Sequence, residues 1–331
     1  MPKPSKTPAK KAPEAPEEKT PKTPEARILA GLNEVFGKTG AVRTLAAAAE
    51  QAKKEVIPTT IDVLDHYVLG HGGLLVGRCT EMLGDPDAGK TSLLQRFLAS
   101  AQKCGGIGVL VESENTLVHE RGIAYGIDPK KLILTEPPSI DDVLAQVQAV
   151  LDLIPTGVGP NLVGWDSLAA SPAASIFKGK NPAGSKARLM SDIFPAITKL
   201  LLPKRAHLCI INQVRYKIGV AFGDPTTSPG GETLKFMASA RLQLWRGKAI
   251  MRGDAIHGHY VTVKSIKNKM TPPSRKVKLR LDYETGWNND WAMLSLAKDL
   301  DLIDKETKFS PESSAEARAA LEKHESWWHP G

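Results

Sequence analysis

One eight-residue segment constrains the fold of this chain more than any other feature. It fits the spacing G-x-x-x-x-G-K-[ST] in full and consists of Gly84, Asp85, Pro86, Asp87, Ala88, Gly89, Lys90 and Thr91. Residues 78–83, which precede it, have the composition of a β-strand, and residues 91–103 show the apolar spacing of a helix. A strand, a glycine-containing loop and a helix in this order predict a phosphate-binding loop.

The residue types in this loop indicate which ligand it binds. The glycines let backbone N–H groups turn toward phosphate oxygens, and the N-terminus of the following helix adds partial positive charge. Lys90 is expected to reach the β- and γ-phosphates, and the Thr91 hydroxyl is placed to hold Mg²⁺. We also assign Ser92, the next residue, to nucleotide binding. The predicted cofactors are therefore ATP and Mg²⁺.

A phosphate-binding loop of this kind requires acidic groups elsewhere in the chain. The apolar run 161–166 ends in Asp166, which we expect to coordinate Mg²⁺; the alternative is an aspartate that caps the next turn. Glu112 and Glu114 follow the apolar run 107–111, and parallel strands present their carboxyl ends to the ligand. Either glutamate has the spacing to activate water, and an ordinary surface carboxylate is the alternative for each.

From residue 56 onward, short apolar runs alternate with helical patterns, which predicts a doubly wound α/β core with a mostly parallel, twisted sheet flanked by helices. The later runs alternate more strictly and predict an antiparallel extension of this sheet. Strands are expected over 78–83, 107–111, 161–166, 206–212, 241–246, 260–267 and 276–282. Helices are expected over 91–103, 139–153, 186–202 with an interruption at Pro195, and 232–240.

The composition divides the chain into four regions. Residues 1–24 hold seven prolines and six lysines and are expected to be a disordered tail. Residues 25–55 contain apolar side chains at helical spacing and are expected to form an amphipathic helix and a linker, with the apolar face covered either by a partner subunit or by the chain's own core. Residues 56–286 form the predicted core, and residues 287–331 form a short, helix-rich C-terminal region.

The overall composition narrows the class of protein. The formal charge of +8 and pI of about 9.2 are compatible with a polyanionic partner. No run approaches the roughly 20 apolar residues that span a bilayer, and no secretory signal is recognisable, so we expect a cytoplasmic protein without membrane association. The three cysteines lack metal-binding spacing, and we expect Cys104 and Cys209 to be buried, reduced thiols.

Several segments in a fixed order carry a resemblance to a known family. They read GDPDAGKT, LVESENTL, WDSLAAS, IINQVRYKIGVAFGDPTTSPGG, TLKFMASARL and IKNKMTPP. In this order they resemble RecA-type recombinases, in a compact form like those of phages. The resemblance runs from about Arg27 to Ile303, and its most specific part is 211–240.

The resemblance implies roles for individual residues. Glu114, rather than Glu112, matches the catalytic carboxylate, and Lys90 and Gln213 complete the catalytic set, with Gln213 sensing the γ-phosphate. Asp166 matches the Mg²⁺-coordinating acid. Lys267 and Lys269 match a pair that reaches the ATP of the neighbouring subunit. The segment 32–38 resembles the helix that docks on the adjacent protomer.

Two segments are expected to bind DNA. The first, 175–186, contributes Lys178, Lys180 and Lys186, with Arg188 shortly after it. The second, 214–229, contributes Arg215, Tyr216, Lys217 and Phe222. Cations neutralise phosphates, and an aromatic ring stacks on or wedges between bases. A basic surface loop without this function is the alternative for each segment.

The chain also departs from the family pattern. Arg121 stands where bacterial members carry a tyrosine that stacks on adenine, and Thr226 stands where the second loop often has glutamate. The last five residues do not form the acidic tail of bacterial members. His257 and His259 have a spacing compatible with half a metal site, but a hairpin is the favoured reading because further ligands are missing at suitable spacing.

The resemblance implies a DNA-dependent ATPase that forms helical filaments on single-stranded DNA and exchanges strands with homologous double-stranded DNA. The expected location is the cytoplasm of a bacterial or phage-infected bacterial cell. Two alternatives remain at this point: a hexameric helicase or translocase with the same core, and a recombination mediator that binds ATP without hydrolysing it.

Overall fold

A computed structural model describes most of the chain. The described residues are 23–36, 42, 44, 46, 55–114, 119–177, 179, 184–216, 226–227 and 229–328. They fall into two compact units, 1–53 and 54–331. Residues 1–22 of the expected tail 1–24 and most of the alanine-rich stretch after residue 40 lie outside the described residues, whereas Pro24, the last residue of that tail, begins a helix.

The described part of the first unit is mainly helix α1, Pro24–Phe36. Thr23 precedes it and accepts a hydrogen bond from the Ala26 N–H through its hydroxyl, at 3.2 Å. Proline at the first helical position and Glu25 in the first turn are both favourable at a helix N-terminus. No residue of α1 is buried, and several of its apolar side chains are exposed.

The second unit is built on a nine-stranded sheet with the order β13-β12-β11-β10-β3-β7-β6-β4-β5. Its strands are β3 (Cys79–Gly84), β4 (Gly108–Glu112), β5 (Leu132–Thr135), β6 (Asn161–Asp166), β7 (Ala206–Gln213), β10 (Ala240–Arg252), β11 (Ala255–Asn268), β12 (Lys276–Asp282) and β13 (Gly286–Trp287). Two small ladders join β1 (Val56–Ile57) to β2 (Leu74–Leu75) and β8 (Arg215–Tyr216) to β9 (Thr226–Thr227).

The described helices of this unit flank the sheet. They are α2 (Val63–Val68, with π-type hydrogen bonding), α3 (Lys90–Lys103), α4 (His119–Ala124), α5 (Ile140–Leu153), α6 (Ala174–Phe177), α7 (Ser185–Leu201), α8 (Gly231–Met237), α9 (Asn289–Asp299) and α10 (Pro311–Leu321).

The sheet has a parallel half and an antiparallel half, as the sequence predicted. From β10 across β3, β7, β6 and β4 to β5, every pairing is parallel. From β10 across β11 and β12 to β13, every pairing is antiparallel. Because the parallel strands share one direction, the carboxyl ends of β3, β4, β6 and β7 meet at one edge of the sheet.

Two apolar layers cover the parallel strands. Phe97 and its neighbours on α3 pack with α9 and α10 in one cluster, and Phe194 on α7 packs with residues of α5 in the other. Trp165 on β6 is completely buried in the second cluster. These layers fix the strands from both faces, so the loops at their carboxyl ends start from rigid positions.

Three local expectations were wrong. Helix α7 continues through Pro195, because Phe194, Ile197 and Leu201 are buried and their packing outweighs the missing N–H. Cys104 is exposed, because it caps α3 where the chain turns away through a glycine, whereas Cys209 is buried as expected. Helix α8 ends at Met237, three residues before the expected end.

Candidate active site

The loop between β3 and α3 passes close to neighbouring strands at two glycines, where a side chain would not fit. A Cβ on Gly84 would lie 2.1 Å from the Leu244 carbonyl oxygen of β10, and Gly89 has φ +81° with the Trp287 ring 2.9 Å from a Cβ. Asp87 adopts φ +55°, which is unusual for a residue with a side chain. The two glycines are therefore required where the loop passes close to β10 and β13.

Lys90, the first residue of α3, folds back over this loop. Its Nζ donates to the carbonyl oxygens of Asp85 at 2.6 Å and Gly84 at 3.2 Å. Burial lowers the pKa of Lys90, and the nearby charges of Asp166 and Glu114 act in the opposite direction. The ammonium group is thus held at the centre of the loop and is surrounded by acceptors.

Thr91 and Asp166 form the second part of the site. The Thr91 hydroxyl donates to Asp166 Oδ2 at 2.6 Å, while Asp166 Oδ1 is buried without a hydrogen-bond partner among the described residues. Burial raises the pKa of Asp166 to about 7, and the hydrogen bond from Thr91 opposes this shift. A hydroxyl and a carboxylate with an unsatisfied oxygen fit the oxygen ligands that Mg²⁺ prefers.

Glu114 lies where the carboxyl ends of three strands meet. It follows β4, and its Oε1 accepts hydrogen bonds from Ser167 Oγ, just after β6, and from Gln213 Nε2 at the end of β7, at 3.3 Å. Glu112 is buried instead, and its Oε1 accepts the Glu114 N–H at 3.0 Å. Glu114 therefore faces the cleft, and Glu112 orients the turn that carries it.

These groups line one cleft of about 640 Å³. The sequence-predicted residues along it are Pro86, Asp87, Ala88, Gly89, Lys90, Thr91, Ser92, Glu114, Arg121, Asp166 and Gln213. Arg121 is exposed at the cleft, and Ser92 Oγ lies 2.6 Å from the Tyr125 hydroxyl. The structure thus brings the predicted nucleotide and catalytic residues together, apart from the two lysines described below.

Sequence reasoning missed one wall of the cleft, formed by Arg246, His259 and Tyr283. Arg246 lies 3.6 Å from the Asp87 carboxylate, and the rings of His259 and Tyr283 meet edge to face. Burial, followed by the Arg246 charge, lowers the pKa of His259. The antiparallel strands supply this wall, and no sequence signal could have found it, because the pairing of β10 with β3 is visible only in the fold.

Lys267 and Lys269 lie at the opposite end of β11 and contact α8. Lys267 Nζ donates to the carbonyl oxygens of Lys235 and Phe236, and Lys269 Nζ donates to Phe236 O at 3.0 Å. These carbonyls belong to the last turn of α8. Within one chain, the two lysines therefore stabilise a helix C-terminus rather than line the cleft.

The predicted DNA-binding residues are only partly described. Lys186 Nζ donates to the carbonyl oxygens of Leu168 and Ala169, and Arg188 is exposed on α7, 3.8 Å from Asp192. The backbones of Arg215 and Tyr216 form the ladder with β9. Lys178, Lys180, Lys217 and Phe222 lie outside the described residues.

Among the described residues, no group of three or more His, Cys, Asp or Glu side chains is arranged to hold a metal ion. His257 and His259 therefore belong to no such group. None of the helices in the described ranges is long and apolar enough to cross a bilayer.

The mostly parallel sheet and the phosphate loop with its nearby acidic groups define a P-loop nucleotide-binding protein of the α/β class. Residues 25–288 match the RecA N-terminal domain family. The chain is 35% identical to Protein RecA of Methylococcus capsulatus over 84% of its length and 79% of the relative's. It is 36% identical to Protein RecA of Tropheryma whipplei, over 84% of the chain and 62% of that relative's length. Its identity to Protein RecA of Symbiobacterium thermophilum is 34%, over 82% of the chain and 77% of that relative's length.

The chain belongs to the RecA family. Its function is accordingly ATP-dependent homologous recombination with strand exchange. The comparisons favour neither a helicase or translocase nor a mediator.

Proposed function

We propose that this chain is a DNA-dependent ATPase that polymerises on single-stranded DNA and pairs it with homologous double-stranded DNA. The observation that carries the proposal is the hydrogen bond of 3.3 Å from Gln213 Nε2 to Glu114 Oε1. It joins the residue that opens the second candidate DNA-binding segment to the carboxylate expected to act on water. Gln213 therefore lies at the nucleotide cleft and directly before the candidate DNA-binding segment.

ATP would bind with its phosphates in the loop from Gly84 to Thr91. Lys90 would transfer its Nζ from the loop carbonyls to phosphate oxygens, which are stronger acceptors for an ammonium group. Mg²⁺ would be held by Thr91 and Asp166 and would neutralise phosphate charge. Ser92 and Arg121 would complete the nucleotide contacts; a guanidinium group has a planar face that can stack on a base.

Glu114 would activate the water molecule that hydrolyses ATP. Its carboxylate would accept a proton from a water molecule whose oxygen attacks the γ-phosphorus, while the bond from that phosphorus to the β–γ bridging oxygen breaks. The products are ADP and inorganic phosphate. Lys90 would stabilise the negative charge that shifts onto the leaving oxygen.

Gln213 would couple this reaction to DNA. With ATP bound, its amide would contact the γ-phosphate, and that contact would favour the DNA-gripping conformation of 214–229. Hydrolysis would remove the contact and weaken the grip. In the ATP-bound state, the strand would be held through charge and stacking, without reading of sequence, by Arg215, Tyr216, Lys217 and Phe222 together with Lys178, Lys180, Lys186 and Arg188.

In the assembly, each chain would contact neighbouring copies through two surfaces, helix α1 and the region around Lys267 and Lys269. The apolar side chains of α1 are exposed, among them Ile28 at 63%, Val35 at 70% and Phe36 at 51%, as expected for a helix that docks on a partner. Lys267 and Lys269 would exchange the α8 carbonyls for the triphosphate of the adjacent subunit. The assembly would act in the bacterial cytoplasm.

The substitution Glu114→Gln tests this proposal, with Glu316→Gln, an exposed carboxylate on α10, as the matched control. The Glu114→Gln variant should bind ATP and single-stranded DNA but hydrolyse ATP about a hundredfold more slowly, because the amide cannot accept the proton. Its DNA complexes should therefore outlast those of the control in an ATP chase. Unchanged turnover would exclude Glu114 as the group that activates water.

A further inference from the structure

Asn212, which the sequence analysis did not single out, is fully buried and makes three hydrogen bonds with one side chain. Its Oδ1 accepts the Gln213 N–H at 3.0 Å, and its Nδ2 donates to the Pro229 carbonyl at 3.0 Å and to Glu81 Oε1 at 2.9 Å. Gln213 precedes the second candidate DNA-binding segment, and Pro229 ends it. A single amide group therefore ties together both ends of that segment.

The third hydrogen bond attaches this amide to the strand of the phosphate loop. Glu81 is fully buried on β3, and its other oxygen accepts from Arg241 Nε on β10 at 2.5 Å. The pairing compensates for the buried charge and fixes the carboxylate in one orientation. Asn212 itself pairs with Leu83, one residue before Gly84, in the β3–β7 register. The amide is thus held by the element that positions the phosphates.

A short backbone ladder also joins the two ends of the segment 214–229. Beyond Gln213, Arg215 pairs with Thr227 and Tyr216 pairs with Thr226 in the antiparallel β8–β9 ladder. After Pro229, Gly230 turns the chain with φ +92° and α8 begins. The two ends of the segment are therefore joined by the β8–β9 ladder and by the Asn212 side chain. The Asn212 side chain also accepts a hydrogen bond from the backbone of Gln213, which the β8–β9 ladder does not include.

We propose that Asn212 is a positioning residue that transmits the state of Gln213 to both ends of the DNA-binding segment. Displacement of Gln213 toward a γ-phosphate moves a backbone N–H bonded to Asn212, and the same amide holds the Pro229 carbonyl at the far end. Asn212 is fully buried, does not line the nucleotide cleft and acts through these two neighbours. The inference rests on the proposed function, because it takes the segment as the DNA-binding element.

Asn161 provides a matched control within the same chain. It is also fully buried, its Oδ1 accepts the Ile107 N–H at 2.8 Å, and its Nδ2 donates to the carbonyl oxygens of Val158 and Lys204 at 2.8 and 2.9 Å. It begins β6, whereas Asp166 ends that strand, so it lies at the edge of the sheet opposite the cleft. Its hydrogen bonding matches that of Asn212 closely, without any link to the nucleotide site.

The experiment compares Asn212→Ala and Asn161→Ala with the wild-type full chain. The readouts are the melting temperature, the KM for ATP and the ratio of ATP hydrolysis with and without single-stranded DNA. Both variants should melt at lower temperature, because each loses three buried hydrogen bonds. Asn212→Ala should lower the stimulation ratio about tenfold with KM changed less than about threefold, and Asn161→Ala should leave the ratio unchanged.

The outcomes separate the inference from the function on which it rests. If wild-type hydrolysis is stimulated by DNA and Asn212→Ala keeps the wild-type ratio, or if Asn161→Ala lowers it equally, Asn212 is merely structural and the inference is wrong. If wild-type hydrolysis is not stimulated at all, the proposed function fails and the inference fails with it. Should Asn212→Ala not fold, Asn212→Ser, whose hydroxyl is too short to bridge both neighbours, is held to the same criterion.

Discussion

Two buried aspartates in the second unit, Asp166 and Asp65, differ in what surrounds them. Burial raises the pKa of both, to about 7 for Asp166 and about 8 for Asp65. Both carboxylate oxygens of Asp65 accept the Thr59 N–H, at 2.9 and 3.1 Å, which closes the loop before α2. Asp166 Oδ1 has no such partner within the described residues and lies in the cleft beside Thr91.

The difference shows that a perturbed pKa alone does not mark a functional site. Asp65 is a satisfied structural group, and its raised pKa follows from burial in apolar surroundings. Asp166 combines burial with an unsatisfied oxygen and with Lys90 and Glu114 nearby. The unsatisfied oxygen, rather than the shift, supports the proposal that Asp166 is a metal ligand.

The largest expected effect comes from replacing these two acids in parallel. Asp166→Asn should reduce ATP turnover by about a thousandfold, because the amide oxygen is a weaker Mg²⁺ ligand than a carboxylate oxygen. Asp65→Asn should keep turnover within about twofold of wild type, since its site has no connection to the phosphates. Steady-state hydrolysis assays over a range of Mg²⁺ concentrations check both values. Equal losses in the two variants would remove the distinction drawn between the two acids.

A second comparison concerns two lysines that both donate to main-chain carbonyls. Lys298 Nζ contacts the carbonyl oxygens of Lys305 and Thr307, much as Lys267 contacts those of α8. If Lys267 also reaches the neighbouring subunit's triphosphate, Lys267→Ala should lower DNA-stimulated hydrolysis by about a hundredfold.

Lys298→Ala should lose only its local carbonyl contacts and keep a near wild-type rate of hydrolysis. Thermal unfolding of the isolated chain should be similar for the Lys298→Ala and Lys267→Ala variants, which separates a shared active site from simple loss of stability. A wild-type rate for Lys267→Ala would argue against a site shared between subunits.

The last expected effect is a pH dependence of the free energy of unfolding, caused by Asp65. The pKa of Asp65 is about 8 in the folded chain, whereas the ordinary value of 3.8 applies to the unfolded chain. At a pH between these two pKa values, the folded state therefore retains a proton that the unfolded state releases. Stability therefore falls as pH rises through this window, with an Asp65 contribution on the order of a few kcal/mol. Asp65→Asn removes that contribution.

Melting temperatures of the Asp65→Asn variant and the wild type at several pH values between 5 and 8 provide the measurement. The variant's melting temperature should rise relative to wild type as pH increases. A difference that stays constant across this range would show that Asp65 is ionised in the fold.

The sequence predicted the parts of the site that depend on local order. The phosphate loop, the strand ending in Asp166 and the placement of Glu114 follow from apolar runs and from the rule that parallel strands share an edge. The choice of Glu114 over Glu112 needed the family resemblance, because alternation along one strand does not show which side chain faces the ligand.

The remaining features depend on contacts between segments that are distant in the chain. Arg246, His259 and Tyr283 reach the cleft because the antiparallel strands extend the sheet beyond β3. Trp327 stacks on His66 with ring centroids 5.0 Å apart, a contact across more than 250 residues. Neither composition nor periodicity encodes such pairings, and the same holds for the three hydrogen bonds of Asn212.

The central claim is that a triphosphate shared between two copies of this chain controls its grip on DNA. Sedimentation of the purified full chain with single-stranded DNA and Mg²⁺, with and without a non-hydrolysable ATP analogue, tests it most directly. Large assemblies that contain many copies per strand are expected when the analogue is present, and they should largely disappear when it is omitted. A chain that remains monomeric on DNA in the presence of the analogue would contradict the claim.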